Sequence, residues 1–190
     1  MKKLIYIAFN KPYGILSQFT SDNPDKDSLE TLAHFNLPKD IYACGRLDKD
    51  SEGLLLLTND AILIDQLLNP KNEKIKTYWV QVENFPTKEA LEKFKQGLVI
   101  GDYKTKPASA KILEPQPNIS ERKPPVRTRL KIPTCWIEVE LTEGKNRQVR
   151  RMTAAIGHPT LRLIRKKIGK LELGDLHPGE YRKILKSDIL

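Results

Sequence analysis

Cysteine is scarce in this 190-residue chain: Cys44 and Cys135 are its only two, 91 residues apart and outside any CxxC pairing. That excludes a disulfide framework and a zinc site of ordinary ligand spacing, and so little cysteine fits a reducing compartment. Long apolar runs are missing as well, and none approaches the roughly 20 residues that a membrane-spanning helix needs. After Lys2 and Lys3 only Leu4–Phe9 precede the polar Asn10. This stretch is shorter than the core of a secretory signal, and no small-residue cleavage site follows it. The sequence therefore predicts a soluble, cytoplasmic protein that does not engage a membrane. His34, His158 and His177 have no partners at metal-ligand spacing, and no repeat or low-complexity tract occurs. What is present, 39% hydrophobic and 30% charged residues, suits a folded globular chain. The length allows one domain, or two small lobes sharing a core.

Acid is what residues 122–170 lack. That stretch holds fourteen Lys and Arg against three Glu, a local charge of +11, whereas the other 141 residues hold nineteen against twenty-one, or −2. The cations fall in three clusters: Arg122, Lys123, Arg127, Arg129 and Lys131; then Lys145, Arg147, Arg150 and Arg151; then Arg162, Arg165, Lys166, Lys167 and Lys170. A single such run is ordinarily a solvated face. Three of them separated by apolar residues point to a folded surface for a polyanion, since each phosphate contact releases condensed counterions. Nucleic acid is the economical partner; no basic amphipathic helix with aromatic anchors suggests a membrane surface.

Hydrophobic spacing predicts the elements. Leu4–Phe9 reads as a buried strand, followed by a turn at Lys11-Pro12-Tyr13-Gly14. A short helix is expected over 28–35, capped by Ser28, then an apolar strand at Leu54–Leu57 and a helix capped by Asp60. Lys76–Glu83 alternates as a strand with Tyr78, Val80 and Val82 on one face and Trp79 and Gln81 on the other. A helix runs from Thr87 to a stop at Gly97, and short strands fill 98–112. Residues 114–126, with four prolines, form an extended connection. Trp136–Leu141 is a strand, Asn146–Ile156 a helix ended by Gly157, and Thr160–Ile168 a strand, with short strands near Leu171 and Tyr181. Many strands with few, separated helices give an α+β fold with a mixed, mostly antiparallel sheet.

The polar stretch Gly45-Arg46-Leu47-Asp48-Lys49-Asp50-Ser51-Glu52-Gly53 sits directly before four leucines. A carboxylate on a loop held by a buried strand is well placed for a positioned catalytic group, although a lone Asp in a loop is more often a turn residue. Asp48, Asp50 and Glu52 together leave a magnesium site open as a weak alternative, which would make the chain a metal-dependent nuclease. A non-catalytic RNA-binding or assembly protein would also account for the charge.

Four segments resemble, in order and spacing, the motifs of pseudouridine synthases. They are Lys11-Pro12-Tyr13-Gly14; Gly45-Arg46-Leu47-Asp48 with Ser51-Glu52-Gly53-Leu54-Leu55; the strand Lys76-Thr77-Tyr78-Trp79-Val80; and Glu143-Gly144-Lys145-Asn146-Arg147-Gln148-Val149-Arg150-Arg151-Met152. The resemblance covers nearly the whole chain and is nearest the RsuA-type branch that modifies ribosomal RNA. It implies one catalytic domain over 1–190, built as two lobes sharing a bent sheet flanked by helices around a central RNA-binding cleft. The N-terminal S4 module common in this branch is not expected here.

The resemblance also implies an activity: isomerisation of a uridine in large-subunit (23S) rRNA, with no cofactor and no metal; a monomer is the default expectation. Asp48 is then the catalytic residue, either attacking C1′ or removing a ribose proton. Arg150 would keep that carboxylate ionised in a closed pocket, or else be another phosphate contact. Tyr78 would stack on the flipped base rather than serve as an ordinary core tyrosine. Arg46 would fill or guide the vacated stack. Lys11 would line the RNA cleft, or simply belong to a tight turn. Helical spacing puts Arg147, Arg150 and Arg151 on one face, opposite Val149, Met152 and Ile156. Arg150 is then expected to face Asp48, and Arg147 and Arg151 to face RNA; a rotation of the helix would exchange them. Lys145, Arg127 and Arg129 complete the expected RNA contacts.

Overall fold

The computed structural model describes residues 3–20, 30–126 and 132–190. Its elements are β1 (Tyr6–Lys11), β2 (Tyr42–Ala43), β3 (Glu52–Thr58), α1 (Ala61–Leu68), β4 (Lys76–Glu83), α2 (Lys88–Gln96), β5 (Val99–Ile100), β6 (Tyr103–Lys104), β7 (Ser109–Ile112), β8 (Thr134–Leu141), α3 (Gln148–Ala155), β9 (Thr160–Ile168), β10 (Leu171–Glu172) and β11 (Tyr181–Lys183). Three short 3-10 turns complete them. The fold is α+β. The chain divides into two compact units, one of residues 1–74 and 165–190, the other of residues 75–164.

In the first unit the strand order is β11-β1-β3, with β2 beside β3, and β10 pairs with Lys167 and Ile168. β1 and β3 run antiparallel in a register that sets Phe9 opposite Leu55 and Lys11 opposite Gly53. Every residue of β3 is buried, which is why Leu54–Leu57 within it is an unbroken apolar run instead of an alternation. Ile7, Phe9, Ile15, Leu32, Ile41, Leu55 and Leu57 form one core cluster. Asp60 caps α1, accepting the Leu63 N–H at 3.1 Å, and Leu63 and Leu67 are the helix's buried residues. The expected cap Ser28 lies outside the described residues. Among the described residues the helical turn there spans Leu32–His34 and is capped by Thr31, whose hydroxyl accepts the Ala33 N–H.

In the second unit the order is β9-β4-β8-β7, and β5 and β6 form a separate hairpin. β4 and β8 are paired over their full lengths, with Tyr78 opposite Val139. Val80 and Val82 are wholly buried, as alternation requires. Thr87 caps α2, and Leu91 and Phe94 are the residues it buries; burying a side chain the size of Phe94 contributes about 1.5–3 kcal/mol. Gly97 ends α2 at φ 76°. Only glycine fits, because a Cβ there would collide with the Thr105 carbonyl oxygen.

Candidate active site

The segment between β2 and β3 carries the candidate acid. Gly45 turns the chain at φ 80°, and a Cβ on it would sit 2.9 Å from the Leu68 side chain. After it, Arg46 is exposed, Leu47 is buried and Asp48 is half-buried. The loop is held on both sides of Asp48. Ahead of it, the Leu47 N–H donates to Ser17 Oγ at 3.0 Å, and the same hydroxyl donates to the Leu47 carbonyl at 2.8 Å. Behind it, the Lys49 carbonyl accepts the Gly14 N–H at 2.8 Å. The Ser51 N–H donates to the Asp48 carbonyl at 3.0 Å and closes the turn. A carboxylate on main chain fixed in this way can serve as a nucleophile or a base without first being ordered.

Lys11 belongs to the same construction. Its side chain is wholly buried, and Nζ donates to the carbonyls of Pro12 and Ile15 at 2.8 Å each and, more weakly, towards Lys49 at 3.4 Å. The sequence reading placed it at an RNA cleft or in a tight turn. Its bonds to Pro12 and Ile15 make it the tether of the 11–15 turn. Burial pulls its ammonium down to about 7, against the opposing pull of Glu52, Asp50 and Asp48, while Arg165 lowers it further. Arg165 is itself buried and donates from Nε to the Leu54 carbonyl at 2.8 Å.

The second unit carries the other candidates. Tyr78 is 8% exposed within β4, and beside it the Trp79 indole N–H donates to Glu138 at 3.2 Å. α3 starts later than its spacing suggested. Arg147 adopts a left-handed conformation, φ 48°, so the helix begins at Gln148. Arg147 therefore does not extend a helical stripe through Arg150 and Arg151. Gln148 organises the turn before the helix: Oε1 accepts the Lys145 N–H at 2.9 Å, and Nε2 donates to Glu143. Arg150 is half-buried while Arg147 and Arg151 are exposed. Arg151 is not aimed purely at solvent, because Nη2 donates to the Ile100 carbonyl at 2.8 Å and its guanidinium lies 5.8 Å from the Tyr103 ring centre. Lys145 Nζ lies 5.7 Å from the same ring. These two cations thus brace the β5–β6 hairpin.

The third basic cluster departs furthest from the sequence reading. Arg162 and Arg165 point into the protein. Arg162 donates to the Ser120 carbonyl at 2.8 Å and lies 6.0 Å from the Trp136 ring. Lys167 is paired with Glu172 at 2.7 Å. Arg127 and Arg129 of the first cluster lie outside the described residues. Among the described residues, no group of three His, Cys, Asp or Glu is arranged to hold a metal ion, Asp48, Asp50 and Glu52 included, and no helix is long and apolar enough to cross a membrane. Sequence reasoning passed over Ser17 and assigned Arg165 to a polyanion face. An early serine carries no local signal, and a basic run gives none of which cations turn inward.

Comparison with known proteins agrees with the motif reading. The family described as RNA pseudouridylate synthase matches residues 5–155. The chain is 53% identical over 178 residues to ribosomal large subunit pseudouridine synthase E of Vibrio parahaemolyticus, covering 94% of this chain and 73% of that protein. It is 51% identical over 173 residues to the protein of the same name from Xanthomonas axonopodis pv. citri, covering 90% of each. A crystal structure of a pseudouridylate synthase superposes on all of this chain and 74% of its own, with a TM-score of 0.80 at 28% identity.

Proposed function

This chain belongs to the RNA pseudouridylate synthase family, and on that premise we propose that it isomerises a specific uridine of large-subunit (23S) ribosomal RNA to pseudouridine, acting as a monomer in the cytoplasm. The bond between uracil N1 and ribose C1′ breaks, the base turns, and C5 bonds to C1′. The C5 proton leaves and N1 gains one, so neither water nor electrons are added. The uridine must first leave its stack, which costs a few kcal/mol, least in unpaired regions.

In this reading Asp48 is the catalyst, Tyr78 the surface on which the everted base rests and Arg150 the cation that keeps the carboxylate charged. The exposed Arg46, at the head of the Asp48 loop, enters the space the base vacates. Arg147 meets the RNA backbone, joined by Arg127 and Arg129. Lys145 and Arg151 contribute charge from the hairpin they brace. The single observation that carries the reading is the main chain around Asp48, pinned at Leu47 by Ser17 and at Lys49 by Gly14. A loop acid with only a turn to cap would not need both.

The test is Asp48→Asn, nearly isosteric. Pseudouridine, mapped by carbodiimide primer extension on 23S rRNA, is expected to fall about 10²–10⁴-fold in rate, with RNA affinity within about threefold of wild type. Modification at the wild-type rate would remove Asp48 from the chemistry.

A further inference from the structure

Among the side chains to which the proposed chemistry gives no role, Ser17 has the most direct line to the reacting carboxylate. It lies 30 residues before Leu47, on the segment that follows β1, and is only 6% exposed. Its hydroxyl is engaged twice with one residue, donating to the Leu47 carbonyl at 2.8 Å and accepting the Leu47 N–H at 3.0 Å. The Leu47 carbonyl belongs to the peptide unit whose nitrogen is that of Asp48. Peptide planarity carries a constraint on that oxygen directly to the Asp48 backbone. On the far side, Gly14 fixes the Lys49 carbonyl.

We propose that Ser17 is a positioning residue for the Asp48 carboxylate. Resting on the reading of Asp48 as catalyst, the proposal adds that the loop's working geometry is set by a side chain outside it. A hydroxyl suits the task because it donates and accepts through one atom. Alanine does neither, and at this depth water has no ready access to replace it. Displacement of a reacting group by about 1 Å can cost about a hundredfold in rate, whereas groups that bind RNA elsewhere on the chain stay in place. The signature of Ser17 is therefore a fall in kcat with KM unmoved.

The experiment compares Ser17→Ala, Ser17→Thr and, as a stability control, Leu63→Ala, which opens a cavity under α1 without removing a hydrogen bond of the loop. Turnover on 23S rRNA is measured well below each variant's melting temperature. S17A is expected to lower kcat by about tenfold to a hundredfold while KM and RNA affinity stay within about twofold. S17T, which keeps the hydroxyl, is expected to recover most of that loss, and L63A to melt earlier with kcat unchanged. Should S17A not fold, Ser17→Cys takes its place, its thiol being a weaker hydrogen-bonding group. Wild-type kcat in S17A, equal losses in S17A and S17T, or a loss matched by L63A at equal melting temperature would each overturn the proposal. D48N run alongside separates the two readings. Were D48N active, the assignment of Asp48 itself would fail; with D48N inactive, an unimpaired S17A rejects only the role of Ser17.

Discussion

Lys186 Nζ lies 2.9 Å from Asp60 Oδ2 and so fastens the C-terminal turn to the N-terminus of α1. The same oxygen accepts the Tyr6 hydroxyl at 2.8 Å, and the other caps Leu63. Together these contacts, opposed by burial, hold the Asp60 carboxyl at about 2, below its ordinary 3.8. A carboxyl with a depressed folded-state value adds stability that is fully present above its unfolded value and is lost as pH falls. Asp60→Asn, which keeps a capping side chain but loses the charge paired with Lys186, is expected to lower unfolding free energy at pH 7 by about 1–2 kcal/mol. Urea titrations should show the gap to wild type narrowing between pH 4 and pH 2. An unchanging gap over that range would disconnect Asp60 from the acid limb.

Lys11 predicts the opposite limb. Its folded value, about 7, lies far below the ordinary 10.5. Between those values the unfolded chain holds a proton that the folded chain has released, so raising pH favours folding by up to about 1.4 kcal/mol per unit. Below pH 7 both states are charged and the full cost of burying the ammonium is felt. Lys11→Met lacks this dependence. The stability of wild type relative to K11M is expected to climb from pH 7 to pH 9, and parallel curves would show that the amine does not titrate in this window.

Two neighbouring arginines should separate in salt titrations. Arg147 is exposed in a left-handed turn, whereas Arg151 is anchored to Ile100 and Tyr103. Arg147→Gln is expected to take about 1 off the slope of log affinity against log salt. Arg151→Gln should take off less and lower the melting temperature instead, by loosening the β5–β6 hairpin. Equal slopes with unchanged melting would place both side chains on phosphates.

Much of the fold is legible in the sequence because it depends on neighbours a few positions away. Val80 and Val82 alternate and are buried; Leu54–Leu57 do not alternate, and β3 is enclosed on both faces. Asp60 and Thr87 cap the helices that follow them. The site is less legible. The Lys11 ammonium closes its own turn on Pro12 and Ile15, but nothing in that turn shows that it also reaches towards a carbonyl 38 residues away. Arg162 and Arg165 lie in a run of cations but face inward, where Ser120 and Leu54 supply carbonyls. The proline-rich connection was expected to be merely extended, yet Gln116 accepts the Trp136 N–H at 2.6 Å and donates to its carbonyl at 3.1 Å, standing in for a strand beside β8. Such contacts join distant parts of the chain and leave no periodic trace.

Phe9 of β1 is paired with Tyr181 of β11, so β1 waits for a strand translated long after it. Residues 75–164 form a contiguous stretch, and during translation all of its partners have emerged while the other unit still lacks residues 165–190. Until then the Leu54 carbonyl has no Arg165 to bind, and one edge of β1 stays open. A nascent chain halted before residue 165 would expose that bare edge, the kind of surface on which aggregation begins.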